Sequence, residues 1–253
     1  MAFSVFFHND FYRVYASDPA AAAGRMEAIV KTIESSVTFQ SIRPIGEHLI
    51  AAVHQQPHIN WVKKQNLFDI ASMAAGGAYQ AASLGLKEPC FALIRPPGHH
   101  ASSGNAWGFC YFNNMAIAIE ALKSEGKISK ALILDIDMHF GDGTVNILQK
   151  KDYVSIVNFD SDDRLAYLKE LENSLANCQV DIIAISAGFD DHIDDWGGVL
   201  KTDDYHEIGR LVAERASQIG AGCFAILEGG YNHNVLGGNV LALINGMTSG
   251  FNS

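Results

Sequence analysis

Six short β-prone runs recur along the chain, at Phe3–Phe7, Phe91–Ile94, Ala131–Ile136, Val154–Phe159, Ile182–Ser186 and Phe224–Leu227, and segments with helical periodicity lie between them. Strand, helix and strand in succession form a parallel crossover most readily. The alternation therefore confines the chain to an α/β architecture, a mainly parallel central sheet with helices on both faces. With 253 residues, 48% of them hydrophobic, there is material for one large core. No Pro-rich or Ser/Gly-rich linker divides it, so residues 1–253 are read as a single domain. Asp18-Pro19 is a strong helix opening, an Asp to cap free amides and a Pro at the first helical position. That helix is expected to run through the alanines into Arg25–Ile33. Leu165, Leu168, Leu171 and Leu175 form the apolar stripe of another helix, to be packed on the sheet.

A formal net charge of −10 opposes attraction to nucleic-acid phosphates or anionic membrane and suits a cationic substrate. Cys90, Cys110, Cys178 and Cys223 have neither CxxC spacing nor the density of a disulfide scaffold; they read as core thiols in a reducing compartment. No secretory leader or membrane-spanning apolar stretch is present in the sequence, so the expectation is a soluble cytoplasmic protein without nucleic-acid or membrane partners.

In open α/β sheets ligands bind beyond the carboxyl ends of the strands, and the chemically active residues lie there. Phe91–Ile94 runs into Arg95-Pro-Pro-Gly-His99-His100, Ala131–Ile136 into Asp137 and His139, Ile182–Ser186 into Asp190, and Phe224–Leu227 into Glu-Gly-Gly-Tyr231. If the third strand stayed extended, Asp135, Asp137 and His139 would share one face. Asp137, His139 and Asp190 are assigned as ligands of one metal ion, a set that leaves a zinc position open for water. Asp135 and Asp142 remain, and each is suited to accept a hydrogen bond from one histidine of the His99-His100 pair, fixing its tautomer. Tyr231, after two glycines, is placed to reach a developing oxyanion.

Five segments, RPPGHHA at 95–101, GFCYFNN at 108–114, DIDMHFGDG at 135–143, SAGFD at 186–190 and EGGY at 228–231, together resemble the histone deacetylase family, including its acetylpolyamine and acetoin-utilisation relatives. The resemblance covers about residues 90–245. It implies an α/β, three-layer arginase/deacetylase-type fold, a catalytic zinc on Asp137, His139 and Asp190, and dyads His99–Asp135 and His100–Asp142. It further implies that His100 is general base and then acid, that His99 acts electrostatically, and that Tyr231 stabilises the oxyanion. Gly108 and Phe109 would be the floor and wall of an acyl-amine channel, Arg25 would line an internal acetate channel, and main-chain oxygens around Asp135, Asp137 and His139 would hold a structural potassium ion. The expected reaction is hydrolysis of an acetyl-lysine, an acetylpolyamine or a similar small N-acyl amine.

One departure stands out. After Phe159 the family has a Pro/Gly-containing loop supplying the opposite channel wall, whereas here Asp160-Ser-Asp-Asp-Arg164 leads almost directly into the Leu-striped helix. The mouth is then wider or completed by a second subunit, a homo-oligomer. Two other readings share the fold. A dimanganese ureohydrolase of the arginase kind would need a second, alternating Asp motif, which Asp191, Asp194 and Asp195 do not supply. A silent acyl-lysine-binding module would have no need of a positioned acid–base pair. The acidic residues near the mouth, Asp160, Asp162, Asp163, Asp191, Asp194 and Asp195, are expected to draw cationic substrates.

Overall fold

A computed structural model describes residues 2–251. In chain order it contains β1 (Phe3–Phe7), single 3₁₀ turns at Asn9–Tyr12 and Pro19–Ala21, α1 (Arg25–Ile33), β2 (Val37–Ser41), α2 (Glu47–Ala51), α3 (Gln56–Lys64) and α4 (Phe68–Gly85). There follow β3 (Cys90–Ala92), α5 (Asn114–Ser124), β4 (Ala131–Asp135), α6 (Asp142–Leu148), β5 (Val154–Asn158), α7 (Arg164–Ala176), β6 (Ile182–Ala187), α8 (Thr202–Ile219), β7 (Gly222–Leu227) and α9 (His233–Phe251). All strands pair parallel in one seven-stranded sheet of order β2-β1-β3-β7-β6-β4-β5. Strands β3, β7, β6 and β4 are buried at every position, which is why they read as unbroken apolar runs rather than alternating ones. Helix α4 packs on β1, β3 and β7 with α5 beside it, and α8 packs on β6 and β7 together with α7 and α9. The result is the expected three-layer α/β fold. No helix among the described residues is long and apolar enough to cross a membrane.

Several expectations are corrected in detail. The helix opened by Asp18 stops after one turn: the Asp18 carboxylate caps the Ala21 amide at 2.8 Å, but Gly24 adopts φ +86° and α1 starts afresh at Arg25. That break swings Arg25 inward, where it is fully buried. In α7 the buried stripe is Tyr167, Leu171 and Leu175, while Leu165 is 70% exposed. Strand β2 was not expected, because Val37–Ser41 is a half-exposed edge with polar residues on it. Strand β4 ends at Asp135, so the period-two argument stops there, and Asp137 and His139 are brought together by a turn instead.

Candidate active site

Because the sheet is parallel, the segments leaving β3, β4, β6 and β7 emerge at the same edge, and their side chains converge. His139 Nδ1 lies 3.1 Å from Asp137 Oδ1 and 3.0 Å from Asp190 Oδ2. One ring N–H cannot serve two carboxylates at once, whereas three lone-pair donors within 4.8 Å of one another suit a divalent cation. Like charges crowd one another here. Burial and the neighbouring Asp137 push the Asp190 carboxyl up to about 6. Asp137 is held below the usual carboxylate range, against its burial, by His99 and His139. The crowding is possible because Gly229 has no side chain: a Cβ there would stand 2.5 Å from Asp137 Oδ2 and 2.7 Å from Asp190 Oδ2. The Gly229 amide instead donates to Asp137 Oδ2 at 2.9 Å.

Both expected histidine–carboxylate pairs form. His99 Nδ1 is 3.1 Å from Asp135 Oδ2, and His100 Nδ1 is 2.7 Å from Asp142 Oδ1. The two imidazoles lie 4.0 Å apart, centre to centre, and their environments separate them. Burial disfavours the charged form of His99, but the Asp137 and Asp135 carboxylates more than offset it and raise His99 well above the ordinary histidine value. Burial and the His99 charge push His100 down to about 4, with Asp142 opposing. The surroundings thus favour the charged form at His99 and the neutral form at His100. His100 is also close to the triad, its ring 5.9 Å from that of His139.

The loop 107–109 wraps this pair. Gly108 (φ +58°) and Phe109 (φ +69°) are both left-handed, a conformation that a non-glycine residue such as Phe109 adopts at a cost of about 1–3 kcal/mol. A Cβ on Gly108 would sit 2.3 Å from His100 Cδ2, so glycine is the residue that lets the loop close on the imidazole. Tyr231 meets Phe109 edge-on at 5.9 Å, and its main-chain amide is held by Asp195 Oδ2 at 2.8 Å. Arg25 donates to the carbonyls of Gly230 (2.8 Å) and Glu228 (2.7 Å) behind Tyr231, with its guanidinium 5.5 Å from the phenol ring. Every site residue expected from the sequence thus joins one cluster.

Three further residues belong to it. The Trp107 indole covers His100 at 3.8 Å and donates to both Asp142 oxygens, at 3.1 and 3.0 Å. Trp196 stacks on Tyr231 at 4.1 Å and turns its edge to His139 at 6.1 Å. Glu228, fully buried, accepts from the amides of Gly98 (2.6 Å) and His99 (3.2 Å), anchoring the histidine loop to β7. Its signal in the sequence was a lone carboxylate closing an apolar run. Glu228, His99 and Cys110 form a second group with metal-ligand spacing. His99 Nδ1 is taken by Asp135, Glu228 Oε2 by two amides and Cys110 Sγ by the Gly108 carbonyl at 3.5 Å, while Glu228 Oε1 has no hydrogen-bond partner among the described residues; the group is read as support for the histidine loop. Of the acidic residues near the mouth, Asp191 is buried, Asp163 caps α7, and Asp195 is spent on the amides of Tyr231 and Asn232. Asp160, Asp162 and Asp194 remain exposed.

The sequence model of the histone deacetylase domain matches residues 20–167 and 157–247. The chain belongs to the histone deacetylase family. The two matched pieces overlap at 157–167, around the segment from Asp160 to Arg164. A probable deacetylase of Methanothermobacter thermautotrophicus is 29% identical over 281 aligned residues, covering 89% of this chain and 84% of that protein. Acetylpolyamine amidohydrolase 1 of Pseudomonas aeruginosa is 29% identical over 62% of this chain and 55% of its own length. Among solved structures, an acetylpolyamine aminohydrolase from Burkholderia pseudomallei superposes with a TM-score of 0.84 at 21% identity, covering 98% of this chain and 99% of that one. The HD domain of HDA15 gives 0.83 at 22% identity over 98% of this chain and 90% of that one. At such identities these likenesses show the fold.

Proposed function

We propose that this member of the family hydrolyses an N-acyl amine to a carboxylate and a free amine, with one zinc ion per chain on Asp137, His139 and Asp190. The observation that carries the reading is the three-donor cluster beside two adjacent imidazoles, each paired with a carboxylate. The donor set fits a divalent ion: His139 presents one nitrogen to two buried carboxylates that crowd each other in its absence. When bound, such an ion supplies Lewis-acid activation of water and of the amide carbonyl.

The chain's own groups carry the protons. His100, with Nδ1 committed to Asp142, uses Nε2 to take a proton from the attacking water and return it to the departing nitrogen. His99, paired with Asp135, acts electrostatically and does not move its proton. The Tyr231 hydroxyl donates to the carbonyl oxygen as that oxygen becomes anionic. Gly108, Phe109, Trp107 and Trp196 shape the passage along which the acyl amine enters. Arg25 lines the space behind Tyr231, and by the family resemblance it faces departing acetate. A potassium ion held by main-chain oxygens around Asp135, Asp137 and His139 belongs to the same reading, although the Asp135 carbonyl also accepts from Phe159 at 3.4 Å. The dimanganese alternative is not favoured, because Asp191 lies outside the three-donor group and no carboxylate of that segment bridges to it.

Turnover of an acetyl-lysine amide by the zinc-loaded protein, with release of acetate and loss of activity on chelation, tests the proposal. No turnover of acetyl-lysine or acetylpolyamine substrates with stoichiometric metal present would sink it.

A further inference from the structure

Strand β5 closes one side of the sheet, and among the described residues no strand lies beyond it. The Tyr153 carbonyl and the Phe159 amide bond to β4, so by the period of a parallel ladder the main-chain groups of Ile156 and Asn158 and the Val154 carbonyl face outward. Natural edge strands are blunted by proline, charge or a bulge; Val154-Ser-Ile-Val-Asn158 has none of these and is rich in β-branched residues. A groove of about 350 Å³ runs along one face of the strand, lined by Phe140, Val145, Val154 and Ile156 among others. A second, of about 390 Å³, runs along the other face beside Tyr153, Ser155 and Val157. Phe140, on the wall of the first groove, is 57% exposed.

The charges at the strand's ends say what covers it. Lys150 and Lys151, both exposed, precede β5, while Asp160, Asp162 and Asp163, also exposed, follow it; Asp152 is the one acidic residue at the basic end. Lys151 reaches Glu120 at 3.4 Å, a partial and exposed pairing. A second β5 laid antiparallel about a two-fold axis sets basic end on acidic end twice over. A parallel neighbour would set like on like. Such self-complementarity is what an isologous contact requires. We propose that β5 is the edge through which two copies of this chain pair antiparallel, continuing the sheet across a molecular two-fold. The proposal is independent of the hydrolase reading.

Sedimentation velocity on the full chain over a wide concentration range tests it, with two variants: Lys150→Glu with Lys151→Glu, and Asp160→Lys with Asp162→Lys. Wild type is expected to sediment as a dimer, each variant alone as a monomer, and an equimolar mixture of the two as a heterodimer, since one then carries two acidic ends and the other two ends of net positive charge. Ile156→Pro, which removes an outward amide and spares the β4 ladder, is also expected to be monomeric with an unchanged far-UV spectrum. A wild type that stays monomeric throughout overturns the proposal. So does a dimer indifferent to both charge reversals, or a mixture of variants that fails to associate.

Discussion

Replacing Tyr231 by phenylalanine isolates a single hydroxyl. The ring is fixed by Trp196 at 4.1 Å and Phe109 at 5.9 Å, and the main chain by Asp195 at 2.8 Å, none of which involves the phenolic oxygen. That hydroxyl has no hydrogen-bond partner among the described residues, so its loss leaves no orphaned group and stability should hold to within a few tenths of a kcal/mol, about the scale of a neutral substitution. Burial next to Asp137 and Asp190 raises its pKa well above the ordinary tyrosine value, so it is a donor at every working pH. Its contribution falls where negative charge grows on the carbonyl oxygen. Loss of one such donor in a water-poor site costs about 10²–10³ in kcat, or about 2.7–4 kcal/mol, with KM little changed. The assay is steady-state hydrolysis of an acetyl-lysine amide, alongside metal analysis and a thermal melt to show that ion and fold are intact. A kcat within a few-fold of wild type, with metal retained, would refute the role given to Tyr231.

Wild type should bind one catalytic transition-metal ion per chain, and Asp190→Ala or His139→Ala should lose most of it, because two ligands are an inadequate set; two tight ions, both required for activity, would revive the ureohydrolase reading. Burial pushes Glu228 from an ordinary carboxylate value of 4.5 up to about 7, so its stabilising contribution is full below pH 4.5 and lost as pH rises through 7. In metal-free protein Glu228→Gln should therefore remove up to about 3 kcal/mol of the fall in stability across that window, read from denaturant midpoints at both ends. Equal pH slopes for wild type and variant would count against a neutral Glu228. Trp107→Phe keeps a ring on His100 but removes the donor to Asp142, and a fall of about tenfold or less in kcat/KM is expected, near the ~1 kcal/mol of one hydrogen bond; an unchanged value would make Trp107 a cover and nothing more. An acetylated diamine should be preferred over a neutral acetamide of equal length, through the exposed indoles and Asp194, and less so at high salt. Equal kcat/KM for the two at both ionic strengths would rule out that attraction.

The sheet's interior was legible from sequence because buried parallel strands leave unbroken apolar runs, and the candidate site because its residues sit directly after those runs. Edges and turns were not. Strand β2 is half exposed, and Val37-Thr-Phe-Gln-Ser41 carries neither a continuous apolar run nor a clean alternation. Asp137 and His139 were placed together for a reason that fails, since β4 ends at Asp135 and a turn does what an extended strand was expected to do. Trp107, Trp196 and Glu228 were passed over because their roles depend on contacts far along the chain. Glu228 meets Gly98 across 130 positions, a relation that no local pattern encodes.

The segment from Asp194 to Trp196 carries two duties on adjacent residues. Asp195 fixes the main chain of Tyr231, and Trp196 faces its ring from the open side. Lengthening or replacing this segment to admit a bulkier acyl amine would loosen the phenol along with the wall, so altered selectivity obtained there should arrive with reduced turnover. Trp107, by contrast, touches the His100–Asp142 pair from a different loop and leaves Tyr231 undisturbed. Changes around residue 107 should instead be felt first in proton transfer, through the indole that holds Asp142.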